Sequence, residues 1–220
     1  MSLLCLILGI YYLPKQKATH KNKPKLALST YLPLLKSSIF RRSAALGLSI
    51  SACYFIFVGF APILYREDMH VSLQSFGIYQ GALASAFGIM CFCSEIFYKW
   101  FGKKRCFKVS LKLYALCGFL AGIYGFFPST DPFILTTILI GSSIACAIPI
   151  RVTYPIALGA VSGASARASG LMVALRLLFS ATGLQTMAYF YNHTYLPLAL
   201  MIGIEGYLAW TLGQKVVVKR

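Results

Sequence analysis

The chain alternates between long apolar stretches and short polar segments. Six of the apolar stretches have the length of a membrane span, and they lie at residues 43–65, 75–98, 106–128, 132–158, 165–190 and 194–213. An α-helix needs about 20 predominantly apolar residues to cross the hydrocarbon core of a bilayer. The pattern therefore predicts an all-α fold, a polytopic transmembrane bundle with six full spans.

The region before the first span predicts two further segments. Ser2–Leu13 is apolar but only about 18 Å long as a helix, which is too short to cross a bilayer. A signal peptide is the alternative, although a positive n-region and a small-residue cleavage site are missing. We interpret residues 1–13 as a partial transmembrane helix, which favours a truncated gene product or a miscalled start.

Residues 14–42 carry eight basic and no acidic side chains. They predict a basic cytoplasmic loop that precedes the six-helix bundle at 43–220. Within this loop, Leu26–Phe40 is moderately amphipathic. It is consistent either with an interfacial helix on the membrane surface or with a solvated linker.

The second span, within Ser75–Arg105, combines small residues with a basic turn. The small residues recur at a spacing that lets neighbouring helices approach closely in lipid: Gly77, Gly81, Ala84 and Gly88. The turn follows at Lys99–Arg105 and contains Gly102, Lys103, Lys104 and Arg105. Such a helix, turn and helix indicate on which side of the membrane the turn lies.

The loops between the spans alternate in charge. Of the 21 Lys and Arg residues, 18 fall on one predicted side and only Arg66 on the other, while Arg151 and Arg176 lie within spans. Because basic loops stay on the cytoplasmic side, the long basic loop, the Lys99–Arg105 turn and the C-terminus are predicted to be cytoplasmic. The chain is expected in the inner (plasma) membrane.

The amino-acid composition also indicates a membrane protein. Hydrophobic residues make up 58% of the chain and charged residues 12%, against about a quarter charged in soluble domains. The net charge of +16 arises between apolar spans, so we assign it to topology and not to nucleic-acid binding. The seven Cys and three His show no metal-ligand spacing, and no catalytic motif occurs, so we expect no metal, no cofactor and no enzyme activity.

Three ionisable residues inside spans are the candidates for transport or intramembrane charge: Arg151, Arg176 and Glu205. Arg176 and Glu205 flank the Tyr191–Tyr195 turn almost symmetrically, which predicts similar depth and a structural ion pair. Alternatively, Arg176 faces the cavity and binds an anionic or polar group, or it snorkels towards the surface. Glu205 is also a candidate proton carrier, because burial can raise the pKa of a carboxyl group.

Other residues are candidates for a cavity or a gate. Pro149 should bend or break its helix beside Arg151, which is consistent with a gate or with a snorkelling arginine. Tyr54 and Phe57 in the first span could line an apolar drug pocket, or pack against lipid and other helices. Glu95 and Lys99 are four residues apart, which favours a local ion pair on one helix.

Three stretches carry a family resemblance. They are Leu26–Tyr65, Phe76–Arg105 and the combination of Pro149 with Ala164–Leu171. Together they resemble the C-terminal half, helices seven to twelve, of a major facilitator superfamily transporter of the Bcr/CflA drug/proton antiporter type. Gly102, Lys103 and Lys104 fit the basic turn of that superfamily, whereas Lys99 and Trp100 stand where it often has Asp and Arg.

The resemblance implies a function for the complete protein. It implies secondary transport, with multidrug or small-molecule efflux by proton antiport once a second six-helix bundle is present. The expected partners are the lipid bilayer, a small-molecule substrate, protons, and an N-terminal half or a second copy. Coupling carboxylates of such antiporters usually lie in the N-terminal half, so this chain alone is not expected to couple transport to protons. The alternative is a truncated, non-transporting remnant or a membrane interaction partner.

Overall fold

A computed structural model describes residues 31–127 and 131–216. The predicted partial helix at 1–13 and most of the predicted basic loop at 14–42 lie outside the described residues. Within these ranges the chain forms helices and no strands. Six of the described helices are long and apolar enough to cross a membrane, which confirms the predicted all-α bundle with six spans.

The described elements are seven helices, and the second of them continues into one π-helical turn. Their bounds are α1 Leu32–Lys36, α2 Ser38–Pro62 with its π-helical turn Ile63–Asp68, α3 Leu73–Phe101, α4 Lys103–Tyr124, α5 Pro132–Leu158, α6 Ser165–Phe190 and α7 Leu196–Gln214.

The first spanning helix begins earlier than the hydrophobic pattern predicts. Ser37 is extended, and its hydroxyl accepts a hydrogen bond from the Phe40 amide at 3.3 Å, so it caps α2 at Ser38 and not at residue 43. Arg41 and Arg42 therefore lie on the helix and not in a loop. The described part of the predicted interfacial segment is interrupted at this cap, and Leu34 and Phe40 on either side of it are buried.

The other end of α2 changes its geometry at a proline. Pro62 closes the α-helical part, and the chain continues as the π-helical turn Ile63–Asp68. The Met69 amide donates to the Leu64 carbonyl at 3.0 Å, which is the five-residue spacing of a π-turn. Pro62 has no amide N–H and cannot donate the hydrogen bond of an α-helix, which is a local reason for the hydrogen-bond pattern to change here.

Within the predicted basic turn Lys99–Arg105, only Gly102 separates α3 from α4. Gly102 has φ +78°, caps the end of α3 and starts α4 at Lys103, so only a residue that tolerates the left-handed region fits there. Lys103, Lys104 and Arg105 then occupy the first turn of α4, where the helix dipole disfavours positive charge. Their placement does not stabilise the helix, and it fits a role in orienting the chain in the membrane.

Helix α5 runs without interruption through both of its prolines. Asp131 caps it by accepting a hydrogen bond from the Phe133 amide at 2.7 Å, and Pro132 occupies the first turn. Pro149 and Pro155 lie inside the helix, so of the predicted bend or break at Pro149 the break is wrong, and the bend stays a prediction. Pro149 is fully buried, and the Ala145 carbonyl that it leaves without an amide partner accepts a hydrogen bond from the Ser110 hydroxyl at 2.5 Å, as expected for a proline helix in an apolar environment.

The closest helix crossing joins α4 and α7 through glycines. A Cβ at Gly118 would lie 3.0 Å from the Ile202 carbonyl oxygen, and one at Gly206 would lie 3.3 Å from the Gly118 Cα. By contrast, a Cβ at Gly77, Gly81 or Gly88 of α3 would meet no atom within 4 Å. The stripe of small residues on α3 is therefore open in this chain, and the close approach occurs elsewhere.

Helix α2 is central in the bundle. It packs against α5, α6 and α7, while α4 packs against α5 and α7. In its most apolar stretch 61% of the α2 residues are buried, against 6% for α3 and 17% for α6. Helices α3 and α6 thus form two flanks that the rest of the described chain leaves largely uncovered.

Candidate functional site

Arg151 ties α5 to α3. Its guanidinium donates hydrogen bonds to the Cys91 carbonyl and to the hydroxyl of buried Ser94, and it lies 3.6 Å from the Glu95 carboxylate. Among the described residues Glu95 pairs with Arg151 and not with Lys99, so the predicted local pair on α3 is wrong. The physical reason is that a neighbouring helix supplies a cation beside Glu95, which the spacing within α3 cannot show. A gate at Arg151 and Pro149 stays a prediction.

Arg176 lies over an aromatic ring. Its guanidinium carbon is 5.1 Å from the centre of the Phe55 ring on α2, which is a cation–π distance. The Nε atom is buried and has no hydrogen-bond partner among the described residues. An arginine inside a membrane span normally pairs with a polar or anionic group, so this side chain still has capacity to bind one.

Glu205 faces α2 and not Arg176. It is the central residue of α7, and its carboxylate accepts a hydrogen bond from the Ser49 hydroxyl. No ion pair joins it to Arg176 in the described structure, so the predicted pair is wrong. Helix α6 packs mainly on α2 and helix α7 mainly on α4, and the two touch each other little, so equal depth does not bring the two side chains together.

A groove runs between α2, α6 and α7, with a volume of about 870 Å³. Ser49 and Glu205 line it at mid-depth and Arg41 lines one end, while its walls are mainly apolar. Sequence reasoning missed this groove. The available signal was a set of small residues on α2, which leave space where larger side chains would pack: Ala44, Ala45 and Ala52.

The predicted cavity aromatics do not line that groove. Phe57 is buried in the hydrophobic core, and Tyr54 is exposed at 41%. Both border a separate cavity of about 50 Å³, far below the several hundred Å³ of a typical ligand pocket. A drug-binding role for Tyr54 and Phe57 stays a prediction.

The structure adds a contact between a histidine of the α6–α7 connection and the end of α2. His193, between α6 and α7, lies 3.1 Å from the Asp68 carboxylate at the end of the π-helical turn. Nearby Tyr195 is buried, and burial raises the pKa of its phenol above the ordinary value. The His193–Asp68 contact joins the α6–α7 connection to the end of α2, and nothing in the sequence indicated it.

Comparison with known proteins identifies the family. A family model described as Major Facilitator Superfamily matches residues 1–184. Neither the curated proteins nor the solved structures gave a match. Members of this superfamily are membrane transporters and not enzymes, which agrees with the six apolar helices of the described chain. The match covers well over half of the 220 residues, so this integral membrane protein belongs to the Major Facilitator Superfamily.

Proposed function

We propose that the chain is one half of a secondary transporter that exports small amphipathic compounds in exchange for protons when it is complete. The proposed location is the inner (plasma) membrane, with the C-terminus in the cytoplasm. The proposed partner is a second six-helix bundle, either an N-terminal half or a second copy. The substrate path would then run between the two bundles.

The two uncovered flanks carry this proposal. Helices α3 and α6 are the least buried spans of the described chain, at 6% and 17% in their most apolar stretches. On α3, the open glycines Gly77, Gly81 and Gly88 would let another helix approach closely. On α6, Arg176 retains a buried Nε atom without a partner among the described residues. A second bundle could pack closely on α3, and a second bundle or a bound substrate could accept a hydrogen bond from Arg176 on α6.

Proton coupling is assigned to the second bundle. The chain contains five acidic residues, and Glu205 is the one at the centre of a span. Its carboxylate is hydrogen-bonded to Ser49 and lies in the mainly apolar groove between α2, α6 and α7. A proton carrier normally exchanges with a water-filled path, so we expect the coupling carboxylates on the partner bundle.

The test is uptake of lipophilic cations into proteoliposomes, driven by a pH gradient. Vesicles would contain the chain alone, a co-expressed N-terminal half alone, or both. We expect uptake only with both, clearly above the passive leak into protein-free vesicles. Uptake by the chain alone would indicate a self-assembled second copy and would contradict the assignment of coupling to another bundle. No uptake in any vesicle would favour a remnant or an interaction partner.

A further inference from the structure

The groove between α2, α6 and α7 has the size and composition of a ligand site. Its volume of about 870 Å³ lies within the range of about 300–1,000 Å³ that holds small molecules. The walls are mainly Leu, Ile, Phe, Met and Ala side chains. A ligand that fills it must therefore present an apolar body to most of the surface.

The polar content of the groove is concentrated at one point. Glu205 is its acidic residue, and Ser49 is the only described residue that donates a hydrogen bond to it. The hydroxyls of Thr182 and Thr186 donate to carbonyls of their own helix, at 3.0 and 2.8 Å. These hydroxyls already have acceptors and do not require one from a ligand. The Glu205 carboxylate is therefore the group that determines which ligand binds.

Among the described residues, no cation pairs with the Glu205 carboxylate. Glu205 lies nine residues from each end of α7, or about 13 Å along the helix axis, and so lies near the membrane centre. A carboxylate at that depth is costly unless it is paired with positive charge. Arg176 is directed to Phe55, and no other described Lys or Arg forms an ion pair with Glu205. No described residue supplies a positive charge to Glu205, and a cationic ligand in the groove would supply it.

We propose that this groove binds an organic cation with an apolar body, and that the positive charge lies at Glu205. The walls supply the apolar contact, and the single carboxylate supplies charge complementarity in an environment of low dielectric constant. Arg41 lines one end of the groove, eight residues or about 12 Å along α2 from Ser49. It repels a cation from that end and so favours the position at Glu205.

The inference goes beyond the proposed transport function. Binding in this groove requires only the insertion of this chain in a membrane, whereas transport requires a second bundle. Binding without uptake would therefore uphold the inference even if the transport proposal failed. Uptake that is unaffected by the loss of Glu205 would uphold transport and leave the groove untested, so the experiment measures binding directly.

The experiment is equilibrium binding of radiolabelled tetraphenylphosphonium to the full chain in lipid nanodiscs. Protein-free nanodiscs of the same composition give the amount that dissolves in lipid. We expect saturable binding by the wild type and a loss of affinity of at least about tenfold for Glu205→Gln, because the substitution removes the charge and keeps the shape. Glu67→Gln is the matched control, since Glu67 is an exposed carboxylate outside the groove, and its affinity should equal that of the wild type.

A second variant covers the case in which Glu205→Gln does not fold. Ala45 lines the groove, and Ala45→Phe fills part of it while Glu205 stays in place, so binding should fall again. Neutral triphenylphosphine oxide should bind more weakly than the cation, with no response to Glu205→Gln. Equal affinity of Glu205→Gln and wild type, or undiminished binding by Ala45→Phe, would overturn the inference. Lipid chains would then be the expected occupants of the groove.

Discussion

At the scale of single residues, Arg151 shows how a charge on an apolar helix is satisfied by a neighbour. Its guanidinium holds the Cys91 carbonyl and the buried Ser94 hydroxyl, while its pair with Glu95 is wider, at 3.6 Å. The Glu95 side chain is 65% exposed, and exposed pairs contribute little because water screens them. The hydrogen bonds, rather than the ion pair, should therefore hold α3 to α5.

This difference gives an ordered prediction. Arg151→Ala should lower the free energy of unfolding by about 1–3 kcal/mol, because it removes charge-assisted hydrogen bonds to partly buried groups. Glu95→Gln should cost less than about 1 kcal/mol. Thermal unfolding of the purified variants in one detergent would measure both. An equal loss for the two variants would contradict the ranking and would show that the ion pair dominates.

Residue depth could be predicted from the sequence, but residue direction could not. Arg176 and Glu205 lie well inside their spans, as expected from hydropathy. Their directions depend on how α6 and α7 rotate against α2, since each successive residue turns about 100° around a helix axis. The sequence could therefore indicate which charges to examine, while Phe55 and Ser49 as their partners emerged only from the packed structure.

At the scale of helices, glycine placement separates packed from open surfaces. Gly118 and Gly206 lie at the α4–α7 crossing, where an added Cβ would meet backbone atoms that cannot move aside. Gly88 on α3 faces open space. Both groups look alike in the sequence, because small residues at helical spacing are compatible with either environment.

The two glycine environments predict opposite responses to alanine. Gly118→Ala should destabilise the protein by about 1–3 kcal/mol, because the extra methyl group forces the helices apart. Gly88→Ala, the matched control, should be neutral or slightly stabilising, because alanine favours helix by up to about 1 kcal/mol. Melting temperatures measured by size-exclusion chromatography after heating would compare them. A stable Gly118→Ala variant would disprove the close crossing.

Helix ends were the least accurate part of the sequence prediction. The Ser37 cap and the π-helical turn extend the first span to Ser38–Asp68, on both sides of the predicted 43–65. Polar residues such as Arg41 and Arg66 lie on these extensions, and hydropathy alone assigns such residues to loops. Caps and proline effects act locally, so they move boundaries without changing the number of spans.

At the scale of the whole molecule, charge should fix the orientation. The basic residues Lys103, Lys104 and Arg105 at the start of α4 are exposed and bind no described acidic side chain, so their charges are available to orient the chain. The same side is predicted to hold 18 of the 21 Lys and Arg residues. The helix dipole opposes their position, which leaves topology as the physical reason for it.

This argument predicts the result of reporter fusions to the full chain. A green fluorescent protein joined after Arg220 should fluoresce, and an alkaline phosphatase at the same site should be inactive, because the C-terminus is predicted to lie in the cytoplasm. Fusions at Asn192, between α6 and α7, should give the reverse, and they serve as the matched control. Active phosphatase after Arg220 would contradict the orientation. Neutral replacements of Lys103, Lys104 and Arg105 alone should leave this pattern unchanged, because 15 of the 18 Lys and Arg residues remain on the predicted cytoplasmic side.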